Sequence, residues 1–312
     1  MLAELALVPD IFDASNYEGP EACDSSIRAL RVPLFELALV RDLRDGGWSQ
    51  FVRDSYGRLH PRTKEILKKL VKSRRLLLGQ GALPDTPTDG LGWCREALAS
   101  HEQTSLTAVV ATKPICDAVK QRELVIPIDS LSDEEWRARL AASRRLGRTT
   151  ADYLAVLRLV LAHANSLQFI DPYLDPTKFN YREFPELLVA ARRDPPPRIE
   201  IHRACKDTLQ GSQRILQGAQ WEEFFRTGLE PTLRSLGLQA EVFIWDEFHD
   251  RFLITDLIGI EVPNGFDVAN LSDNLTTWSR VGPSTADSIR REFEPGVSSH
   301  RCHHRFMIGA RG

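Results

Sequence analysis

His249 and Arg251 stand one residue apart in the run Val242-Phe243-Ile244-Trp245-Asp246-Glu247-Phe248-His249-Asp250-Arg251-Phe252-Leu253-Ile254-Thr255-Asp256. An arginine offers a planar fork of donors that matches phosphate oxygens. An imidazole titrates near neutral pH and serves as nucleophile or general acid. On an extended strand residues two apart share a face, which would place His249 and Arg251 together, with Phe252 and Ile254 on the other side. The plainer alternative is a surface hairpin whose His and Arg face water. A second polar point is Asp171, where Leu167-Gln168-Phe169-Ile170 stops at Asp171-Pro172-Tyr173 and Pro172 blocks continuation of the strand. Asp171, Asp246 and Asp256, with Glu247, also suit a rival chemistry, a metal-dependent nuclease in which carboxylates at strand ends hold Mg²⁺. For Asp171 the simpler role is to form the turn that follows.

A proton donor would have to come from another histidine. Cys302-His303-His304-Arg305-Phe306 repeats the His-x-Arg-Phe spacing, so His303 is the candidate second acid if this run forms a last strand of the same sheet. A coincidental basic strand is the simpler reading. His202 shares a strand face with Glu200 and is a candidate cleft residue, although strand histidines are more often structural. His300, Cys302, His303 and His304 have no matching ligand pair elsewhere, and neither metal nor cofactor is expected. Tyr173, Trp245, Phe248, Phe266 and Trp278 lie near the motif in sequence and could stack bases, but aromatics at strand spacing are usually core.

The elements that must position these groups fall into two regions. In 106–312, apolar runs at Leu106–Ala111, Leu124–Ile128, Leu167–Ile170, Arg198–His202, Ala240–Trp245 and Arg251–Ile254 alternate with helical patterns over 133–146, 150–164, 181–193 and 219–236. Ser132 and Glu135 have capping-box spacing. Strand–helix alternation predicts an α/β domain with a mixed sheet flanked by helices. Residues 1–105 read as a mainly helical N-terminal region of unknown role. Its first twenty residues look irregular, a helix runs from Ile27 to Asp45 with Pro33 as a kink, and another starts at Pro61. The cations Lys64, Lys68, Lys69, Lys72, Arg74 and Arg75 on that second helix read as a solvated face. Residues 79–90 are a Gly- and Pro-rich loop.

The bulk properties narrow the classes. With 312 residues and a net charge of −3, the chain can bury a core but lacks the general positive excess of a duplex-wrapping protein, so a nucleic-acid contact needs a local basic patch. The five cysteines are scattered without a Cys-x-x-Cys pair, as in a reduced intracellular chain. The first twelve residues lack a signal's basic start, and no apolar run spans a bilayer, so a cytoplasmic location is expected.

His249-x-Arg251, four residues, Asp256 and then Asn264-Gly265 resembles the signature of the phospholipase-D superfamily, His-x-Lys-x4-Asp followed by a glycine-containing turn. The resemblance extends over roughly residues 150–295, where a strand ending in Asp-Pro-Tyr precedes a helix, a strand, a helix and the motif strand. The His-Asp-Arg variant is also similar to the phospholipase-D-like C-terminal domain of microtubule-interacting-and-trafficking proteins and its bacterial relatives. The resemblance implies a phospholipase-D-like fold and a metal-free phosphodiesterase of nuclease type. In it His249 attacks phosphorus, Arg251 replaces the family lysine as phosphate clamp, and Asp256 supports the site. Asp171, Tyr173, His202, Asn264 and Gly265 are the candidate substrate-binding residues. The implied substrate is a phosphodiester, with nucleic acid favoured over lipid, and the bacterial relatives point towards defence or conflict systems. Active members combine two motifs. A single one implies a homodimer with facing histidines or, as the alternative, a catalytically inactive binder of phosphate, nucleic acid or a lipid headgroup.

Overall fold

Strand-forming apolar runs and helix caps sort the chain into two units, Leu2–Ala141 and a unit spanning Ala142–Gly312. They are seen in a computed structural model that describes residues 1–120, 123–133, 136, 140–209, 212–269, 274–297 and 300–309.

The N-terminal unit is not mainly helical. It holds a five-stranded, all-parallel sheet of β1 (Ala3–Leu7), β2 (Ala38–Asp42), β3 (Leu76–Gly79), β4 (Ala108–Ala111) and β5 (Val125–Pro127) in the order β3-β2-β1-β4-β5. Its helices include α1 (Pro20–Ala29), α2 (Leu43–Asp54), α3 (Arg62–Lys72) and α4 (Gly90–Gln103). The sequence reading missed β1 and β2 for a physical reason. Every residue of both strands is buried, so neither shows the in–out alternation that marks a half-buried strand. Ala38 and Val40 also fit the helical spacing that continues from Ile27, yet the helix stops at Ala29 and a single wide turn at Pro33–Leu37 leads into β2. The unit boundary therefore falls after residue 141 rather than 105, because β4 pairs with β1 and β5 with β4.

The C-terminal unit is built on an eight-stranded mixed sheet. It contains β6 (Ser143–Gly147), β7 (Ser166–Ile170), β8 (Arg198–Ala204), β11 (Gln239–Trp245), β12 (Phe252–Thr255), β13 (Gly259–Glu261), β14 (Leu275–Val281) and β15 (Cys302–Gly309). Their order is β15-β11-β8-β7-β12-β13-β14-β6, so β15 and β6 are the outer strands, while β9 (Lys206–Leu209) and β10 (Ser212–Ile215) form a separate hairpin. Of the expected helix over 133–146, Ser143–Gly147 is strand instead and pairs antiparallel with β14; residues 134–135, with Glu135 of the capping box, and 137–139 lie outside the described residues. The expected helices at 150–164, 181–193 and 219–236 appear at Thr150–His163, Phe184–Ala190, Gly218–Gly228 and Glu230–Leu236. These elements make the unit α/β with helices flanking the sheet. Among the described residues no helix is long and apolar enough to cross a membrane.

Candidate functional site

Strand direction decides which residues can meet. β7, β8 and β11 run parallel, and β12 runs antiparallel to β7 with Phe252 opposite Ile170. β13 returns with Glu261 opposite Phe252, and β15 starts beside the end of β11, with Cys302 opposite Trp245. One end of the sheet therefore gathers the segments following β7, β8, β11 and β13 and those preceding β12 and β15. Asp171, Tyr173, Asp246, His249, Arg251, Asn264 and Gly265 belong to those segments, and His303 is the second residue of β15. In parallel sheets this carboxyl end is where ligands collect.

Asp171 is the buried hub. Its carboxylate accepts from the backbone N–H of Tyr173 at 3.0 Å, the backbone N–H of Phe266 at 3.1 Å and the hydroxyl of Tyr181 at 3.0 Å. Burial pushes its pKa up, and the three donors together with the Arg251 guanidinium only partly offset that. Gly265 lies in the left-handed region at φ 68°, and a Cβ there would collide with the Asp171 carboxylate, so this position requires glycine twice over. Asn264, one residue earlier, is exposed.

Arg251 is seated from three sides. Its Nε stands 3.9 Å from Asp171 Oδ1, an Nη donates to the Pro263 carbonyl, and its guanidinium carbon lies 4.9 Å from the centre of the Tyr173 ring. Its side chain remains 27% exposed, while that of His249 is 77% exposed, with Nε2 3.7 Å from Glu247 Oε1. The expected shared strand face for these two residues is not formed. β12 begins only at Phe252, and residues 247–251 are irregular backbone, which frees successive side chains from strict alternation. Arg251 turns towards the hub and His249 towards solvent.

Asp256 is not part of this site. It lies past the far end of β12, where its carboxylate accepts from the backbone N–H of Asn165 at 2.8 Å, the Asn165 amide at 2.9 Å and the backbone N–H of Ser166 at 3.2 Å. Those bonds cap the start of β7. The carboxylate trio Asp171, Asp246 and Asp256 is therefore divided between opposite ends of the sheet and cannot share one Mg²⁺. Among the described residues no group of three His, Cys, Asp or Glu side chains is arranged to hold a metal ion.

His202 does share a face with Glu200, but that face is covered rather than open. The imidazole is fully buried and stacks on Phe243 at 4.7 Å. Trp245 Nε1 donates to Nδ1 at 3.1 Å, which assigns the proton to Nε2, 3.4 Å from Glu200 Oε2. Burial lowers the His202 pKa despite Glu200. Burial opposes ionisation of Glu200 too, yet the hydrogen bonds from His202 and Gln168 hold its pKa below the usual value. This is a neutral imidazole serving the core.

His303 sits where the geometry changes. Ile244 pairs with His304 and Trp245 with Cys302, leaving His303 as the extra residue of a β-bulge. A bulge re-aims a side chain that regular pleating would fix. Here the imidazole meets the carboxylate of Asp246. Lys206 Nζ lies 2.5 Å from Glu247 Oε2, which brings another cation to the same end. Trp245, Phe248, Phe266 and Trp278 are buried, leaving Tyr173 as the exposed aromatic among the candidates. Sequence reasoning missed Tyr181, which closes the 3₁₀ turn Phe179–Tyr181, and the Pro263 carbonyl, which acts from a turn without periodicity. Lys206 carried no signal beyond its position soon after a strand.

No described protein family matches the chain, and neither does any curated protein. A solved structure of TrmBL2, an archaeal chromatin protein described as showing a novel mode of DNA binding, aligns over 75% of this chain and 78% of its own. Its identity is 14% and its TM-score 0.29, too little overlap to bear on this chain's fold or role.

Proposed function

We propose that the C-terminal unit binds a phosphodiester group, with nucleic acid as the favoured source, through Arg251 and the segment carrying His249. The observation that carries this reading is the seating of Arg251. A guanidinium fixed on a Tyr173 ring and a Pro263 carbonyl is pre-organised, so less side-chain freedom is lost when an anion arrives. His249 and Lys206 add donors at the same sheet end. The His249-x-Arg251 part of the phospholipase-D-like signature supports this reading, with Arg251 in the place of the family lysine, while Asp256 of that signature lies elsewhere.

The test is binding of a labelled oligonucleotide by fluorescence anisotropy in EDTA, with wild type, Arg251→Ala and His249→Ala. Loss of affinity in Arg251→Ala, with the fold intact, is expected. Unchanged affinity in that variant overturns the reading.

The bulge at His303 favours a second reading, hydrolysis. His249 would form a P–N bond as the P–O bond to the leaving group breaks, and that oxygen would take its proton from His303. Water would then attack phosphorus, breaking the P–N bond to His249 and returning a proton to His303. Cleavage in EDTA that disappears in both His249→Ala and His303→Ala would establish catalysis; intact substrate with retained binding would leave the unit a binder.

A further inference from the structure

The N-terminal unit holds a separate basic groove, and we propose that it binds the backbone of single-stranded nucleic acid. The groove runs between α1, the turn at Pro33–Leu37 and α3, with a volume of about 540 Å³. Its floor is apolar, made by Ile27, Phe35 and Ile66, and its rim carries Arg28, Arg31, Arg62 and Lys69. Glu65 is the one acidic residue in the lining. Asp24, just outside it, is shared by Arg28 at 2.6 Å and Arg62 at 2.7 Å, so one carboxylate serves two guanidiniums and the rim keeps a positive excess. Lys69 Nζ is held 4.1 Å above the centre of the Phe35 ring, which fixes a cation against the aromatic floor.

A second row extends the charge along α3. Lys64, Lys68 and Lys72 are exposed at successive four-residue steps, and none of them makes an ion pair within the described residues. Like charges at that spacing destabilise a helix. On α3 a single carboxylate, Glu65, stands against Arg62, Lys64, Lys68, Lys69 and Lys72, so the helix keeps an excess of cations beside the groove in a chain whose net charge is −3. Positive charge is thus concentrated here against the overall balance, the pattern expected where a polyanion docks.

Shape selects among polyanions. The groove has the dimensions of a small-ligand site. A duplex could touch only its rim, whereas an unpaired base can enter and lie on Phe35 and Ile66 while its phosphates follow the lysine row. Cationic tracks with aromatic floors are how proteins hold single strands without reading sequence. An acidic peptide would meet the charges but leave the floor unused. This inference rests on residues of the N-terminal unit and stands whether or not Arg251 binds phosphate.

The experiment uses the full chain and fluorescein-labelled twelve-nucleotide oligo(dT) and oligo(U), read by anisotropy across a salt series. The variants are Arg31→Glu/Lys69→Glu in the groove and Lys64→Glu/Lys68→Glu/Lys72→Glu on the row, each also made with Arg251→Ala to separate this site from that of the C-terminal unit. Circular dichroism and melting confirm the fold, and Arg31→Gln/Lys69→Gln replaces the first variant if charge reversal unfolds it. A loss of roughly tenfold or more is expected, with the salt slope reduced by about 1.4 when two phosphate contacts are removed. Unlabelled duplex should compete poorly. Three results overturn the inference: no oligonucleotide binding by wild type, unchanged affinity in folded groove and row variants, or equal loss of polyglutamate or phosphatidylserine-vesicle binding without any oligonucleotide preference.

Discussion

Asp171 and Gly265 are in contact across the end of the C-terminal sheet, so close that a single methyl group on Gly265 would overlap the Asp171 carboxylate. The glycine's left-handed backbone turns the chain so that Phe266 N–H can donate to the same carboxylate at 3.1 Å. Gly265→Ala should therefore both strain the backbone and break the hub on which Arg251 rests. We expect a loss of about 2 kcal/mol or more in urea unfolding, together with weaker phosphate binding. A neutral outcome would mean the hub is loosely held.

Asp256 separates structure from chemistry. Its carboxylate caps the start of β7 through Asn165 and Ser166. Asp256→Ala should cost about 1–2 kcal/mol of stability and leave oligonucleotide affinity unchanged at a temperature where the variant is folded. Lost binding or cleavage in a folded Asp256→Ala protein would restore it to the site.

His249→Ala should behave in the opposite way. The side chain is 77% exposed and contacts only Glu247 in the described geometry, so stability should change by no more than about 0.5 kcal/mol. Any functional loss in that variant then reports directly on the imidazole.

Two desolvated groups, the half-buried Asp10 and the fully buried His202, give stability a pH dependence of opposite sign. Asp10, at the end of β1, has its pKa raised to about 6 by burial, although the Thr112 hydroxyl donates to it. The folded state therefore holds a proton that the unfolded chain releases near pH 4, and stability should fall as pH rises from about 4 to 6, by on the order of 2 kcal/mol. Asp10→Asn should flatten that slope. His202 has its pKa lowered by burial, so its neutral form is favoured in the fold, and stability should fall as pH drops below its ordinary 6.5. Urea midpoints of wild type, Asp10→Asn and His202→Phe between pH 4 and 8 would expose both slopes, and a wild-type profile unaltered by either substitution would refute the assignment.

The α/β alternation after residue 106 was legible because Thr150–His163 and Gly218–Gly228 carry helical periodicity and Leu167–Ile170 ends at a proline-guarded turn. The five-stranded sheet was not, because β1 and β2 are buried on both faces and too short to announce a period. At the candidate site, sequence singled out Asp171 as the carboxylate that stops an apolar strand, Arg251 as a fork of donors and Gly265 through the resemblance alone, and the structure brings the three to one end of the sheet. It misplaced Asp256 because the spacing of a motif says nothing about strand direction: four residues of β12 carry Asp256 to the opposite end of the sheet. It placed His202 in a cleft because alternation fixes a face without saying what covers that face, here Phe243, Trp245 and Phe293.

The two outer strands of the larger sheet both bear cations, Arg144 and Arg145 on β6 and His304 and Arg305 on β15. On β15 these cations are paired, His304 with Glu222 and Arg305 with Glu241, whereas a second copy adding itself along β6 would bring guanidinium groups up against one another, which guards that margin against recruitment into a growing ribbon. Self-association that joined two His249 segments would have to use the loop-bearing rim instead, leaving the ladder of eight strands unextended.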